Sequence, residues 1–222
     1  MTATEPRVGA VQAKSGPASP IGMRVRNLDW EAKTGGLADY VGDLQLPNML
    51  HARLVRSVHA HANIRGVDTT AAEAVDGVIA IVTAADFDNA RYTHHGGPLA
   101  DRTVLAGTKV RYVGEEIAGV AAETAVAANQ AAGLVTVDYE LLEGAFDFDS
   151  ARHPKASQIH EDKSGNVAMH IERHWGESGT GTKSVAASGV FTFARQTHAC
   201  MEPNSVVANW NGDTGHLDVW IS

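Results

Sequence analysis

The sequence predicts an α+β protein in two parts, on three observations. Short apolar strand patterns are set off by Gly, Pro and Asn turns, one alanine-rich helix lies between two strands, and the C-terminal part is strand-like with little helix. Of 222 residues, 44% are hydrophobic and 20% charged, a globular composition that excludes simple disorder. A formal net charge of -8 offers no attraction to phosphate backbones or anionic lipid, so nucleic-acid and membrane-surface binding are set aside. Small molecules and protein partners stay open. A single cysteine, Cys200, can form neither an intrachain disulfide nor a multi-thiolate metal site, and a cytoplasmic compartment is expected. Residues 1–20 lack the apolar core of a secretory signal, and no stretch approaches the ~20 apolar residues of a membrane span.

Residues 1–22 are small, polar and aperiodic, and a flexible arm is expected there. From Ala38 to Val67, apolar and polar residues alternate on both sides of Leu46-Pro47-Asn48, which predicts two strands around a turn. Asp68-Thr69 can cap a short helix that stops at Asp76-Gly77, and Val78–Thr83 follows as a buried strand. Thr83 can then cap a helical turn, ahead of a long connection that holds the loop Tyr92–Pro98. The clearest pattern is a β-α-β unit: strand Ile117–Ala122, a helix Ala125–Leu134 capped by Thr124, and strand Val135–Tyr139. The chain loosens from Gly144 to Gly165. Strand-like stretches return at Asn166–Trp175, Gly189–Phe193, Ser205–Trp210 and Leu217–Ile221, and the last pattern stops unfinished, so another element or chain is expected to complete it.

Candidate chemistry is sparse. Gly176–Ser184 (GESGTGTKS) has the look of a phosphate loop, but Thr182 separates the last Gly from Lys183, so backbone N–H groups and ammonium would not converge on one phosphate. No G-x-G-x-x-G opens the helix of the β-α-β unit, which argues against a dinucleotide. On one strand His59 and His61 would share a face as two metal ligands, yet no further ligands accompany them, and hydrogen-bonded histidines are the simpler reading, as for His94-His95. Glu115 and Glu116 would point to opposite faces of a strand. Cys200 near His198 fits packing better than a thiolate nucleophile. The one polar concentration with the character of a pocket wall is Gln196, His198, Met201 and Glu202, just before Pro203, with a structural ion pair at Glu202 as the competing reading. No catalytic residue and no metal ligand is assigned.

Three ordered segments resemble the molybdopterin-binding large subunit of the xanthine dehydrogenase and aldehyde oxidase family of molybdenum hydroxylases. The first is Gly35–Ser57 with Val58-His59-Ala60-His61-Ala62, the second Lys109-Val110-Arg111-Tyr112-Val113-Gly114-Glu115 leading to Val137-Asp138-Tyr139-Glu140. The third is Arg195-Gln196-Thr197-His198 through Met201-Glu202-Pro203, then Trp210 and the Leu217–Trp220 strand. The resemblance runs from about Ile21 to Ser222, and departs from the family at Val58, usually Pro, and at Ser178–Ser184, usually a short helix.

The resemblance implies a fold and a chemistry. Residues 23–145 would form an a/b hammerhead domain, 146–165 a linker, and 166–222 the N-terminal segment of the first molybdenum-binding domain, completed by another chain. In that family a glutamate activates a Mo-OH group that attacks an electron-poor carbon, and electrons leave through iron-sulfur clusters and a flavin. The implied cofactor is molybdenum-molybdopterin, in its cytosine dinucleotide form, held mainly by a partner chain. The implied partners are that chain and subunits carrying 2Fe-2S clusters and FAD, and the implied substrate is a purine-like N-heterocycle or an aldehyde. The family's catalytic glutamate has no counterpart in these residues. A stand-alone, non-catalytic binding module with the hammerhead fold is the alternative.

Overall fold

The computed structural model describes residues 26–88, 91–93, 99–176, 188–194, 196–200 and 202–222. The expected N-terminal arm, residues 177–184 of the glycine-rich stretch, His94-His95 and Met201 lie outside them. In chain order the elements are helix α1 (Trp30–Thr34), strands β1 (His51–Arg56) and β2 (Ala62–Asp68), helix α2 (Thr70–Glu73), strands β3 (Val78–Thr83), β4 (Tyr92–Thr93), β5 (Ala100–Arg102), β6 (Lys109–Val110) and β7 (Glu116–Ala122), helix α3 (Ala125–Leu134), strand β8 (Thr136–Leu141), helix α4 (Phe148–Ala151), and strands β9 (Val206–Asn211) and β10 (His216–Ile221). They fall into two compact units. Residues 46–192 form the larger, and residues 26–45 with 193–222 the smaller, so the segment expected as a linker is part of the larger unit.

The larger unit is built on two three-stranded antiparallel sheets, ordered β1-β7-β3 and β6-β2-β8, with β4 paired to β5. Strand β7 is the spine of the first sheet. Its alternate residues Ala118, Val120 and Ala122 are buried, and α3 packs on this sheet through Ala127, Ala128 and Ala131. Methyl-sized side chains on both surfaces let helix and sheet approach closely. The Thr124 side chain accepts a hydrogen bond from the Ala127 amide at 3.1 Å and fixes the start of α3, as expected. Ile117 points away from Ala118 and joins Ala62, Ala106 and Val110 in a second core beneath β2 and β8.

Several expectations are corrected. The expected β-α-β unit is not one sheet: β7 lies between β1 and β3, whereas β8 pairs with β2 in the other sheet. Helix α3 therefore carries the chain between two sheets rather than over a parallel crossover. Around Leu46-Pro47-Asn48 the turn forms, with Asn48 at φ 58, but both strands follow it at β1 and β2. Residues 40–43 instead form a 3-10 turn, because the Asp43 carboxylate accepts the Tyr40 amide at 3.1 Å and folds the backbone back on itself. Strand β3 forms as expected, yet Ile79 stays 56% exposed, so only one face of the strand is covered. The strands expected at 166–175 and 189–193 do not form among the described residues. Positive φ at Gly165 and Asn166 breaks the first at its start.

The smaller unit holds α1, the 3-10 turn and the antiparallel hairpin β9-β10, which is in register from Val206↔Ile221 to Asn211↔His216. The side-chain oxygen of Asn211 accepts the amides of Asp213 and Thr214, and Gly215 takes φ 67 to close the turn. At the open end Ser205 and Ser222 clasp the two strands, the Ser205 amide donating to the Ser222 hydroxyl at 2.8 Å and the Ser222 amide to the Ser205 carbonyl at 3.2 Å.

Candidate functional site

The sequence-predicted wall does not assemble into a catalytic constellation. Gln196 and His198 lie exposed in irregular backbone, and Cys200 is an exposed free thiol. Glu202, half-buried, accepts the Val41 amide at 3.3 Å and so tethers the 3-10 turn to the approach to β9. Its contact is structural, close to the competing reading, although the partner is a backbone amide and not a cation. Among the described residues no group of three or more His, Cys, Asp or Glu side chains converges as a metal site.

The two histidines weighed as ligands have separate roles. His59 lies in the turn before β2, edge-on to Tyr139 with ring centroids 4.8 Å apart. His61 is buried, and its Nδ1 lies 2.7 Å from the Glu143 carbonyl, which assigns the proton to Nδ1. Its Nε2 is buried with no hydrogen-bond partner among the described residues. One imidazole nitrogen holds the chain after β8; the other has no partner among the described residues. Glu115 is also buried, just before β7, and its carboxylate accepts the Arg111 amide at 2.5 Å. Burial pushes this carboxyl up, against the pull of that hydrogen bond and of the Arg111 charge. Glu116, on the strand itself, is paired at 2.7 Å with Arg56 and at 3.0 Å with Arg102, partners distinct from the Arg111 amide that Glu115 holds.

Sequence reasoning missed a crevice of ≈ 330 Å³ in the larger unit, lined by Phe146, Phe148 and Ile159 together with Asp101, His160 and Lys163. The signal was present in Asp147-Phe148-Asp149-Ser150: Asp147 Oδ1 accepts the amides of Asp149 and Ser150 and starts α4 between the two phenylalanines. Asn166 pins the other side, its amide donating to the carbonyls of Ala151 and Ser157 while its oxygen accepts the Ile159 amide. The Glu161 carboxylate bridges Lys109 and Arg111, and the lysine hydrogen bond chiefly holds its pKa down at about 2. Burial and the nearby Arg111 charge push the His160 imidazole down, favouring its neutral form. The crevice sets aromatic and aliphatic side chains beside carboxylate, imidazole and ammonium groups, but no nucleophile and base are seen to stand together there.

Comparison with known proteins places this geometry. Residues 35–143 match the family model "Aldehyde oxidase and xanthine dehydrogenase, a/b hammerhead domain", and residues 159–222 match the "Molybdopterin cofactor-binding domain". The chain is 35% identical over 189 residues to a probable xanthine dehydrogenase subunit of Bacillus subtilis (strain 168), covering 84% of this chain and 25% of that protein. It is 35% identical over 217 residues to the carbon monoxide dehydrogenase large chain of Afipia carboxidovorans, covering 90% and 27%. Among solved structures, quinoline 2-oxidoreductase from Pseudomonas putida 86 matches 91% of this chain and 27% of its own, with a TM-score of 0.80 and 28% identity. The class so defined joins an aldehyde oxidase and xanthine dehydrogenase a/b hammerhead domain to a stretch that matches a molybdopterin cofactor-binding domain. The chain belongs to the aldehyde oxidase and xanthine dehydrogenase family. It spans about a quarter of the length of the first two relatives.

Proposed function

We propose that this chain is the hammerhead-bearing part of a molybdenum hydroxylase, a xanthine dehydrogenase-like oxidoreductase that inserts oxygen from water into an N-heterocycle, purine-like by preference, or an aldehyde. The observation that carries the reading is the ordered pair of family matches, 35–143 and 159–222, on a backbone that follows quinoline 2-oxidoreductase over 91% of the chain. The names of several relatives, which carry xanthine, nicotinate and nicotine, support an N-heterocycle over an aldehyde.

The described residues do not by themselves make a cradle for the cofactor. Gln196 and His198 are exposed, and Glu202 is engaged with Val41. The chain's share is therefore scaffold and wall: Gln196, His198 and Glu202, with Met201 by sequence position, would belong to a wall near the cofactor-bearing polypeptide, and no catalytic base comes from these residues. When bound, the molybdenum-molybdopterin, in its cytosine dinucleotide form, supplies the hydroxylation chemistry. Partner polypeptides supply the rest of the molybdopterin-binding region, the 2Fe-2S clusters and FAD, in the cytoplasm. No helix among the described residues is long and apolar enough to cross a membrane.

Co-expression of the full chain with the source's remaining family polypeptides tests this reading. The expected result is a complex containing molybdenum, iron and flavin that oxidises purines or other N-heterocycles and incorporates ¹⁸O from labelled water. A stable, monodisperse chain that joins no molybdenum-bearing complex under those conditions overturns it.

A further inference from the structure

The β9-β10 hairpin reverses over Asn211-Gly212-Asp213-Thr214-Gly215-His216, and its first two residues are the one place in the sequence where glycine follows asparagine. Glycine matters there chemically, because a residue without a side chain lets its own backbone nitrogen reach the amide carbon of the preceding asparagine. In the closed hairpin that approach is blocked. Asn211 is the last residue of β9, held in the ladder opposite His216, and its carbonyl accepts the Gly215 amide at 2.9 Å. Its side chain is held as well, Oδ1 accepting the Asp213 amide at 3.0 Å and the Thr214 amide at 3.1 Å. A ring between the Gly212 nitrogen and Cγ of Asn211 closes only when the 211–212 peptide and the side chain rotate toward each other, so these bonds have to break first. The whole turn is exposed, however, and it closes a ribbon of only two strands, the kind of element that opens locally at small cost.

We infer that Asn211-Gly212 is a conformationally gated modification site: the closed turn preserves the asparagine, and opening of the ribbon commits it to spontaneous deamidation. In the opened turn the Gly212 nitrogen loses its proton to solvent and attacks Cγ of Asn211. An N–Cγ bond forms, the Cγ–Nδ2 bond breaks, and ammonia leaves with a proton taken from solvent. Water then opens the resulting succinimide, at Cγ to give aspartate or at the main-chain carbonyl of residue 211 to give isoaspartate. One water is consumed and one ammonia released, and nothing is oxidised or reduced. The two products differ in what they do to the fold. Aspartate keeps the turn, since a carboxylate oxygen accepts the same two amides more strongly than the neutral amide oxygen does. Isoaspartate makes the backbone between Trp210 and Gly212 one carbon atom longer and takes the Asn211↔His216 pair out of register. Either product makes the formal net charge of -8 one unit more negative.

The test stores the full 222-residue chain in mildly alkaline buffer, folded and in urea sufficient to unfold it, and follows every asparagine by peptide mapping with mass spectrometry. Electron-transfer fragmentation separates aspartate from isoaspartate. Position 211 is expected to deamidate ahead of every other asparagine, and at least tenfold more slowly in the folded chain than in urea. Gly212→Ala should slow the reaction in urea at least fivefold by crowding the attacking nitrogen, and the folded turn accepts it, because a Cβ there meets only Trp210 Nε1, at 3.9 Å. Ser222→Ala removes the hydroxyl that holds the Ser205 amide at the far end of the ribbon, and should speed the folded-state reaction at least twofold with no change in urea. That comparison reads the gate apart from the chemistry. Equal rates folded and in urea, or a folded-state rate indifferent to Ser222→Ala, overturn the gate. First loss at another asparagine, or a rate in urea indifferent to Gly212→Ala, overturns the site.

Discussion

Strands β7 and β9 are both apolar along most of their length, yet they end in opposite environments. In β7 the residues Ile117, Ala118, Val120 and Ala122 are all buried, because a strand lies on each side, α3 covers one face and the β2-β8 sheet closes over Ile117 on the other. In β9 Val206 and Trp210 are each 62% exposed, with one partner strand and no covering layer among the described residues. The difference is one of closure and not of hydrophobicity. Burial of apolar area, at roughly 25 cal/mol per Å², is already realised in the larger unit and is still available in the ribbon.

Perturbing the two strands separately sharpens this contrast. Ile117→Ala should destabilise the larger unit by about 2–5 kcal/mol in urea unfolding, whereas Val219→Ala in the chain alone should change stability by less than about 0.5 kcal/mol. Equal losses would mean that the ribbon is covered in solution. Thr124→Ala, which removes the α3 cap and leaves every apolar core side chain in place, should cost about 1 kcal/mol, with restoration by Thr124→Ser; no change would show that packing alone fixes the helix start.

The smallest effect concerns the link between residues 159–163 and β6. Glu161 has a folded-state pKa of about 2, below its usual 4.5, so its contribution is present above pH 4.5 and is lost as the pH falls toward 2. Because its side chain is 60% exposed, Glu161→Gln should cost only about 0.5 kcal/mol at pH 7 and flatten the stability profile between pH 4.5 and 2. An unaltered acid limb would show that solvent screens the bridge completely.

Local signals were legible where one residue decides an element. Thr124 ahead of an alanine run located α3, and Thr83 capping a turn located residues 84–86. Alternation in Leu217–Ile221 located β10. What stayed hidden depends on distant partners. Nothing adjacent to Val135–Tyr139 shows that β8 pairs with β2 and not beside β7, since register across sheets is set by residues some seventy positions away. At the candidate wall, Glu202 reads from sequence as pocket lining or as half of an ion pair; its partner in the structure is the Val41 amide, and a backbone group leaves no mark in side-chain patterning. His61 was legible as hydrogen-bonded but not as half-satisfied, because the Glu143 carbonyl reaches only one ring nitrogen.

The hydrogen bond from the Val41 amide to Glu202 spans 161 positions and joins a residue of the hammerhead match to one of the molybdopterin-binding match. Sequence modules and spatial modules therefore have different seams. A chimera spliced between residues 143 and 159, where the two family patterns part, would cut no strand and still exchange one end of this bond for a foreign sequence. Grafting the hammerhead between relatives as a cassette should succeed only when residues 35–45 travel with the β9-β10 hairpin, which makes the smaller unit, and not the family boundary, the heritable piece for recombination.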